Sequence, residues 1–173
     1  MSESEAPANV VNLDEIEETS RFMGEHWGAN YKPLTAAMKA GGGKLGINWM
    51  RVPKGKSTCP FHAHALEDEA FFVLSGRGVL RYGDELRELR AGDCVSCPAG
   101  TKVAHQLANP FDEDFVYLAI GNSEPHEVAI YPDNGKLLSR SFDRIGHLKD
   151  AEYLDGEPST PRIFDLWDGQ KAD

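Results

Sequence analysis

The sequence predicts an all-β fold, a sandwich or barrel, on three observations. Short apolar runs recur from residue 45 onward, each bounded by turn residues. No helical periodicity runs through 45–131. The 173 residues suit one domain that buries its core without disulfides or a structural metal.

Taken in order, residues 1–11 are small, polar and unpatterned, the composition of a disordered leader. Asn12 or Asp14 can cap a short acidic turn reaching Glu18. The pattern over 21–44 is irregular. Residues 31–39 suit either a short helix or an edge strand, and Gly41-Gly42-Gly43 breaks the chain before the main body. Strands are expected at 46–52, 61–65 and 69–74, with a turn at 53–56. Ser75-Gly76-Arg77-Gly78 turns into 79–82, and Gly83-Asp84 is a hairpin signal that returns through 86–89. Ala91-Gly92-Asp93 leads to 94–97, Pro98-Ala99-Gly100 to 104–108, and Asn109-Pro110 to 115–120. The expected organisation is an N-terminal extension at 1–44, partly disordered, a barrel at 45–131 and a C-terminal extension at 132–173. That extension carries apolar islands (Leu137-Leu138, Phe142, Ile145, Tyr153-Leu154, Ile163-Phe164) that need burial on the barrel or on a partner.

Composition narrows the function classes. There are 28 acidic residues against 18 basic ones, a net charge of −10. Such a surface repels phosphate backbones and anionic lipid, so neither nucleic acid nor membrane is an expected partner. No run of about eighteen apolar residues is present. The N-terminus lacks the basic start and apolar stretch of a signal peptide, and three cysteines form no framework, so a reducing, cytoplasmic location is expected.

The chemistry concentrates in four residues. His62 and His64 alternate on a strand, so both imidazoles point to one face. Glu69 can return a carboxylate to the same ion from the next strand, with Phe71 and Val73 on its face. His105 comes from a later strand, beyond the Pro98 turn. Imidazoles with one carboxylate suit one divalent transition metal such as Fe, Mn, Ni or Zn, and not the all-oxygen shells of Ca or Mg. Four protein ligands on a six-coordinate ion leave positions open, which is a catalytic layout. A lone histidine would more simply be an ordinary core or surface residue; the combined spacing favours the metal.

These residues resemble the motifs of the cupin superfamily. The first motif is matched by Gly55, His62-Ala63-His64, Glu69 and Gly76, with a first gap one residue longer than usual. The second is matched by Gly92, Pro98-Ala99-Gly100, His105 and Asn109, with two extra residues before His105. Glu67 and Asp68 are rival carboxylates, but Glu69 has the motif's distance to Gly76. The resemblance implies a double-stranded β-helix, or jelly-roll, barrel. It implies His62, His64, Glu69 and His105 as metal ligands and a homodimer in which the terminal segments pack across the interface. The segment 130–136 is similar to a group of uncharacterised one-barrel bacterial cupins, some of which carry the name sugar-phosphate isomerase by similarity to other cupins.

Other residues are weighed against plainer roles. Cys94 and Cys97 form a Cys-x-x-Cys pair, but residues three apart on a strand face opposite sides, against a redox or zinc role. Asn48 shares a face with Met50; it either points inward to a substrate or is an edge polar residue. Asn109 has the parity of His105, and Tyr82 and Tyr117 are candidate pocket walls. Asn48, Asn109, Tyr82 and Tyr117 are thus the candidate substrate-binding residues. His26, His126 and His147 are expected in solvent. No catalytic base is identifiable. The reading is a metal-dependent enzyme on an oxygen-rich small molecule, of sugar or sugar-phosphate isomerase type. The alternatives are an iron-dependent dioxygenase and a non-enzymatic small-ligand-binding module.

Overall fold

The computed structural model describes residues 8–170. In chain order, a 3-10 turn at Leu13–Glu15 is followed by β1 (Thr19–Met23), β2 (Trp27–Pro33), α1 (Ala36–Ala40), β3 (Leu45–Val52), β4 (Lys56–Ser57), β5 (Ala63–His64), β6 (Glu69–Ser75), β7 (Arg77–Tyr82) and β8 (Glu85–Arg90). Then come β9 (Cys94–Cys97), β10 (His105–Asn109), β11 (Phe115–Asn122), β12 (Val128–Tyr131), β13 (Lys136–Ser139), β14 (Arg144–His147) and α2 (Arg162–Gln170). The expected all-β class is what the chain adopts. Of the expected leader, residues 1–7 lie outside the described residues and 8–11 are exposed coil. The cap is present: Asn12 Oδ1 accepts from Asp14 N at 2.9 Å.

A ten-stranded sheet runs β8-β7-β10-β4-β2-β3-β11-β6-β9, with β1 added on β2. A second sheet runs β14-β13-β12-β5. The irregular segment before residue 45 differs from its expectation, because β2 pairs with β3 inside the main sheet. Its sequence is interrupted by Gly28 and Pro33, so it lacks a strand's apolar alternation; pairing with β3 supplies what local propensity does not. Arg51 reinforces the join, pairing with Glu18 from the extension and with Asp114 at 3.0 Å. The segment 31–39, open between strand and helix, is divided: β2 ends at Pro33 and α1 follows.

The core is built by alternation. Phe71 and Val73 of β6, Leu80 of β7, Leu89 of β8, Leu107 of β10, and Phe115 and Tyr117 of β11 are all buried and form one cluster. Phe115 and Tyr117 lie 5.0 Å apart between ring centroids, and Phe71 meets Tyr117 edge-on at 5.7 Å. Two glycines make this packing possible. A Cβ on Gly78 would lie 2.5 Å from the Phe115 ring. Gly76, with φ of +72°, would place one 2.0 Å from the Asp114 carbonyl oxygen.

After β12 the chain adds β13 and β14 to the second sheet, and residues 141–168 are exposed throughout. The apolar islands Phe142, Ile145, Tyr153, Leu154, Ile163 and Phe164 therefore stay uncovered by their own barrel. Among the described residues, no helix is long and apolar enough to cross a membrane.

Candidate metal centre

The segment carrying His62 and His64 passes from one sheet to the other. At His62 it is held to the large sheet by a reciprocal backbone pair with His105, at 3.1 and 2.8 Å. One residue later it joins the second sheet, where Ala63 and His64 pair with Ile130 and Ala129. The expected strand 61–65 is consequently only two residues long, Ala63–His64. The expected parity holds, since both imidazoles turn to the same interior space with centroids 4.7 Å apart. Glu69 begins β6 between Cys97 of β9 and Gly121 of β11, and His105 begins β10.

One oxygen collects the three rings. Glu69 Oε2 lies 2.8 Å from His105 Nε2, 3.4 Å from His64 Nε2 and 3.7 Å from His62 Nε2. The four ligating atoms all fall within 4.8 Å of one another, a group that could hold a metal ion. Two of the rings, His62 and His64, fit that use. His62 Nδ1 sits 2.8 Å from the Pro60 carbonyl, so its proton lies there and Nε2 presents a lone pair inward. His64 Nε2, although buried, has no hydrogen-bond partner among the described residues. A buried nitrogen left unpaired is costly unless something occupies the space before it. Three imidazole nitrogens and a carboxylate oxygen are the donors of a first-row transition ion.

The electrostatics follow from this crowding. Burial, then the neighbouring His105, lowers the His62 pKa to about 4, which keeps the ring neutral. Burial acts downward on His64 too, but Glu69 beside it, with Glu127 and Glu67, more than offsets this and raises its pKa. Burial alone would raise Glu69; the hydrogen bond from His105 and the close approach of His64 carry it far below the usual carboxylate range. The Cys59 thiol, 3.7 Å from His62 Nδ1, is pushed up to about 11 by burial and stays protonated.

The candidate substrate residues separate. Asn48 lies opposite Ala119 and, with Lys44, Glu69 and Gly121, lines an opening of about 190 Å³. Tyr82 pairs in register with His105 and packs against the core. Tyr117 is 2% exposed, with its hydroxyl 3.4 Å from Thr58 Oγ1. Asn109 keeps the parity of His105, but its Nδ2 donates to the Val52 and Glu113 carbonyls, both at 2.8 Å, and its Oδ1 accepts from Phe111 N. That amide is committed to the backbone of the turn after β10. Of the rival carboxylates, Asp68 accepts from Ala99 N, and Glu67 pairs with Arg140. His26, His126 and His147 are exposed, and Cys94 and Cys97 face opposite sides of β9.

Sequence reasoning missed what stands behind the cluster. Glu127, wholly buried, reaches His64 from just before β12. Tyr131 stacks over His62 at 6.0 Å. Neither has a motif spacing; the one signal for Glu127 is its alternation with buried Ala129.

Residues 48–121 match the profile of the cupin domain family. No curated protein matches the sequence. Among solved structures, a protein from Silicibacter pomeroyi called a sugar phosphate isomerase of the cupin superfamily is 27% identical, covering 87% of this chain and 96% of its own, with a TM-score of 0.66. A protein from Acidithiobacillus ferrooxidans, provisionally named a sugar phosphate isomerase, is 23% identical over 81% of this chain and 92% of its own, with a TM-score of 0.68. One from Thermotoga maritima, provisionally named an oxalate decarboxylase, is 24% identical over 66% of this chain and 99% of its own, with a TM-score of 0.58. The barrel shares the double-stranded β-helix fold of these neighbours.

Proposed function

We propose, on the premise that residues 48–121 form a cupin domain, that this chain is a metal-dependent enzyme of the sugar or sugar-phosphate isomerase type. The observation that carries the reading is the convergence of three imidazole Nε2 atoms on one carboxylate oxygen, with His64 Nε2 buried and unpaired among the described residues. His62, His64, Glu69 and His105 would hold one divalent ion. Bound there, the ion supplies Lewis acidity to a chelating carbonyl and hydroxyl pair. The name borne by the 27% identical neighbour supports the substrate class.

The protein's own groups suit a small polar ligand. Glu69 keeps 27% of its side chain exposed, so the cluster meets the outside at that carboxylate. Asn48 beside it offers both a donor and acceptors to substrate hydroxyls. Lys44, paired with Glu124 at 2.8 Å, lies at the same opening and offers a cation to an anionic substituent. His62 and His105 are walled by Phe71 and Tyr131, which keep bulk water from the imidazoles.

The test is metal reconstitution followed by assay. The chelator-treated protein is titrated with Fe, Mn, Ni and Zn, and its metal content is measured. Candidate aldose and ketose phosphates are then followed by NMR. Stoichiometric uptake with interconversion of the two sugars is the expected result. Failure to retain any of the ions refutes the metal reading; retention with oxygen consumption instead of interconversion refutes the isomerase.

A further inference from the structure

Behind His64, on its Nδ1 side, lies the carboxylate of Glu127. Glu127 is 0% exposed. Its Oε1 accepts from Ala65 N at 2.8 Å and lies 3.3 Å from His64 Nδ1, while its Oε2 accepts from Leu66 N at 2.9 Å. Both oxygens are thus fixed by backbone donors on the residues that follow His64. A carboxylate held in this way has one thing left to offer the ring, an acceptor at Nδ1. A second layer holds it in turn. Arg140 N donates to the Glu127 carbonyl at 2.9 Å, and the Arg140 guanidinium pairs with Glu67, whose own carboxylate lies 3.7 Å from His64 Nδ1.

We infer that Glu127 is the positioning residue of the site. It fixes the proton of His64 on Nδ1 and turns Nε2, bare, toward Glu69. The inference rests on the proposed metal reading. It places a determinant of the site outside the matched segment 48–121, on the approach to the second sheet. The physical reasoning is general. A neutral imidazole has one donor and one acceptor nitrogen, and the partner of one decides the role of the other. A carboxylate on the distal nitrogen also increases the basicity of the ligating one. His62 obtains the same tautomer from the Pro60 carbonyl, a neutral acceptor, so the two rings of one His-x-His pair are held by different chemistry.

Glu67, Glu127 and His64 lie close enough to suggest a second cation site. Their acceptors are already used by Ala65 N, Leu66 N, Glu124 N and Arg140, which explains the grouping without an ion.

The experiment reads the tautomer directly. Metal-free protein labelled with ¹⁵N-histidine is examined at mildly alkaline pH by long-range ¹H–¹⁵N NMR, with the His64 signals assigned by their loss in His64→Gln. The expected His64 pattern is a protonated Nδ1 and a bare Nε2. A proton on Nε2 overturns the inference. In Glu127→Gln the amide must turn its NH2 either on His64 and Ala65 or on Leu66. The expected result is loss of the single Nδ1–H tautomer, with zinc affinity, measured by chelator competition, down roughly 10- to 100-fold. A folded variant with unchanged tautomer and unchanged zinc affinity also overturns it. If the variant does not fold, the wild-type spectrum alone decides. If the wild type binds no metal, the functional reading fails, and the tautomer still tests Glu127 separately.

Discussion

Strand β11 runs the length of the barrel, and the residues it sends inward change along the way. At one end Phe115 and Tyr117 are large and buried, facing Val52 and Met50 across the β3 ladder. At the other end Ala119 and Gly121 are small, and their neighbours are Asn48 and Glu69. The first end is filled by rings, and its burial stabilises the fold. The second leaves room for three imidazoles and a carboxylate, whose burial costs free energy unless each polar atom finds a partner. One half of the barrel thus supplies stability, and the other uses some of it to hold a cluster that could bind a metal ion.

The largest test of this division is Phe115→Ala. It removes a side chain with no exposure, packed on Tyr117 and against the bare face of Gly78. A loss of about 3–5 kcal/mol is expected, the usual range for deleting a buried ring, measured by urea unfolding. Metal affinity of the folded fraction should stay near wild type. A large drop in affinity with little loss of stability would show that the two ends are not separable.

Glu69→Gln reverses the pattern. The amide keeps the shape but loses the charge on which all three Nε2 atoms converge. Metal affinity is expected to fall by more than about 100-fold, beyond the loss of an outer partner. Stability of the metal-free protein should change far less than in Phe115→Ala. Competition with a colorimetric chelator and a thermal melt, run on the same sample, check both halves of the statement.

The two ends were also unequally legible in the sequence. The apolar end follows from alternation: the inward set Phe71, Val73, Leu107, Phe115 and Tyr117 repeats every second residue between readable turns. His62, His64, Glu69 and His105 were legible because strand parity and resemblance agree on them, and the structure brings their side chains together. Two things were hidden. Strand β2 is held by pairing, and its own composition does not announce it. Glu127 and Arg140 act across 60 and more residues of chain, on His64 and Glu67, with no spacing rule to connect them. The shortened strand at 63–64 was misjudged for a related reason: its residues change sheets at His62, and periodicity cannot show where a strand changes partner.

A smaller effect is expected from pH, and its sign is specific to the polar end. His62 titrates near 4 in the folded chain against 6.5 ordinarily, so between these values the unfolded chain binds more protons and stability falls as pH falls. His64 is shifted upward, so its contribution is complete below 6.5 and is lost only as pH rises through its raised pKa. Glu69 is shifted downward from 4.5, so its contribution is lost below that value. The window from 6.5 to 4.5 therefore belongs to His62. Metal-free protein should lose about 2–3 kcal/mol across it, and His62→Gln should flatten the slope. Urea unfolding at several pH values in this window checks it; an unchanged slope in the variant would assign the effect to other groups.

The smallest effect is expected where the two ends meet. Tyr117 packs its ring against Phe115 and Phe71, while its hydroxyl reaches Thr58 on the loop that leads to His62. Burial carries its pKa far above the usual phenol value, so it stays neutral. At 3.4 Å the contact with Thr58 is long for a bond between hydroxyls. Tyr117→Phe should therefore cost less than about 1 kcal/mol and leave metal affinity unchanged, because the ring stays and only a weak bond is lost. A cost above about 2 kcal/mol would mean that the hydroxyl is held as firmly as the imidazoles are. The boundary between the two ends would then lie one residue pair deeper, at Phe115 and Val52 instead of Tyr117 and Met50.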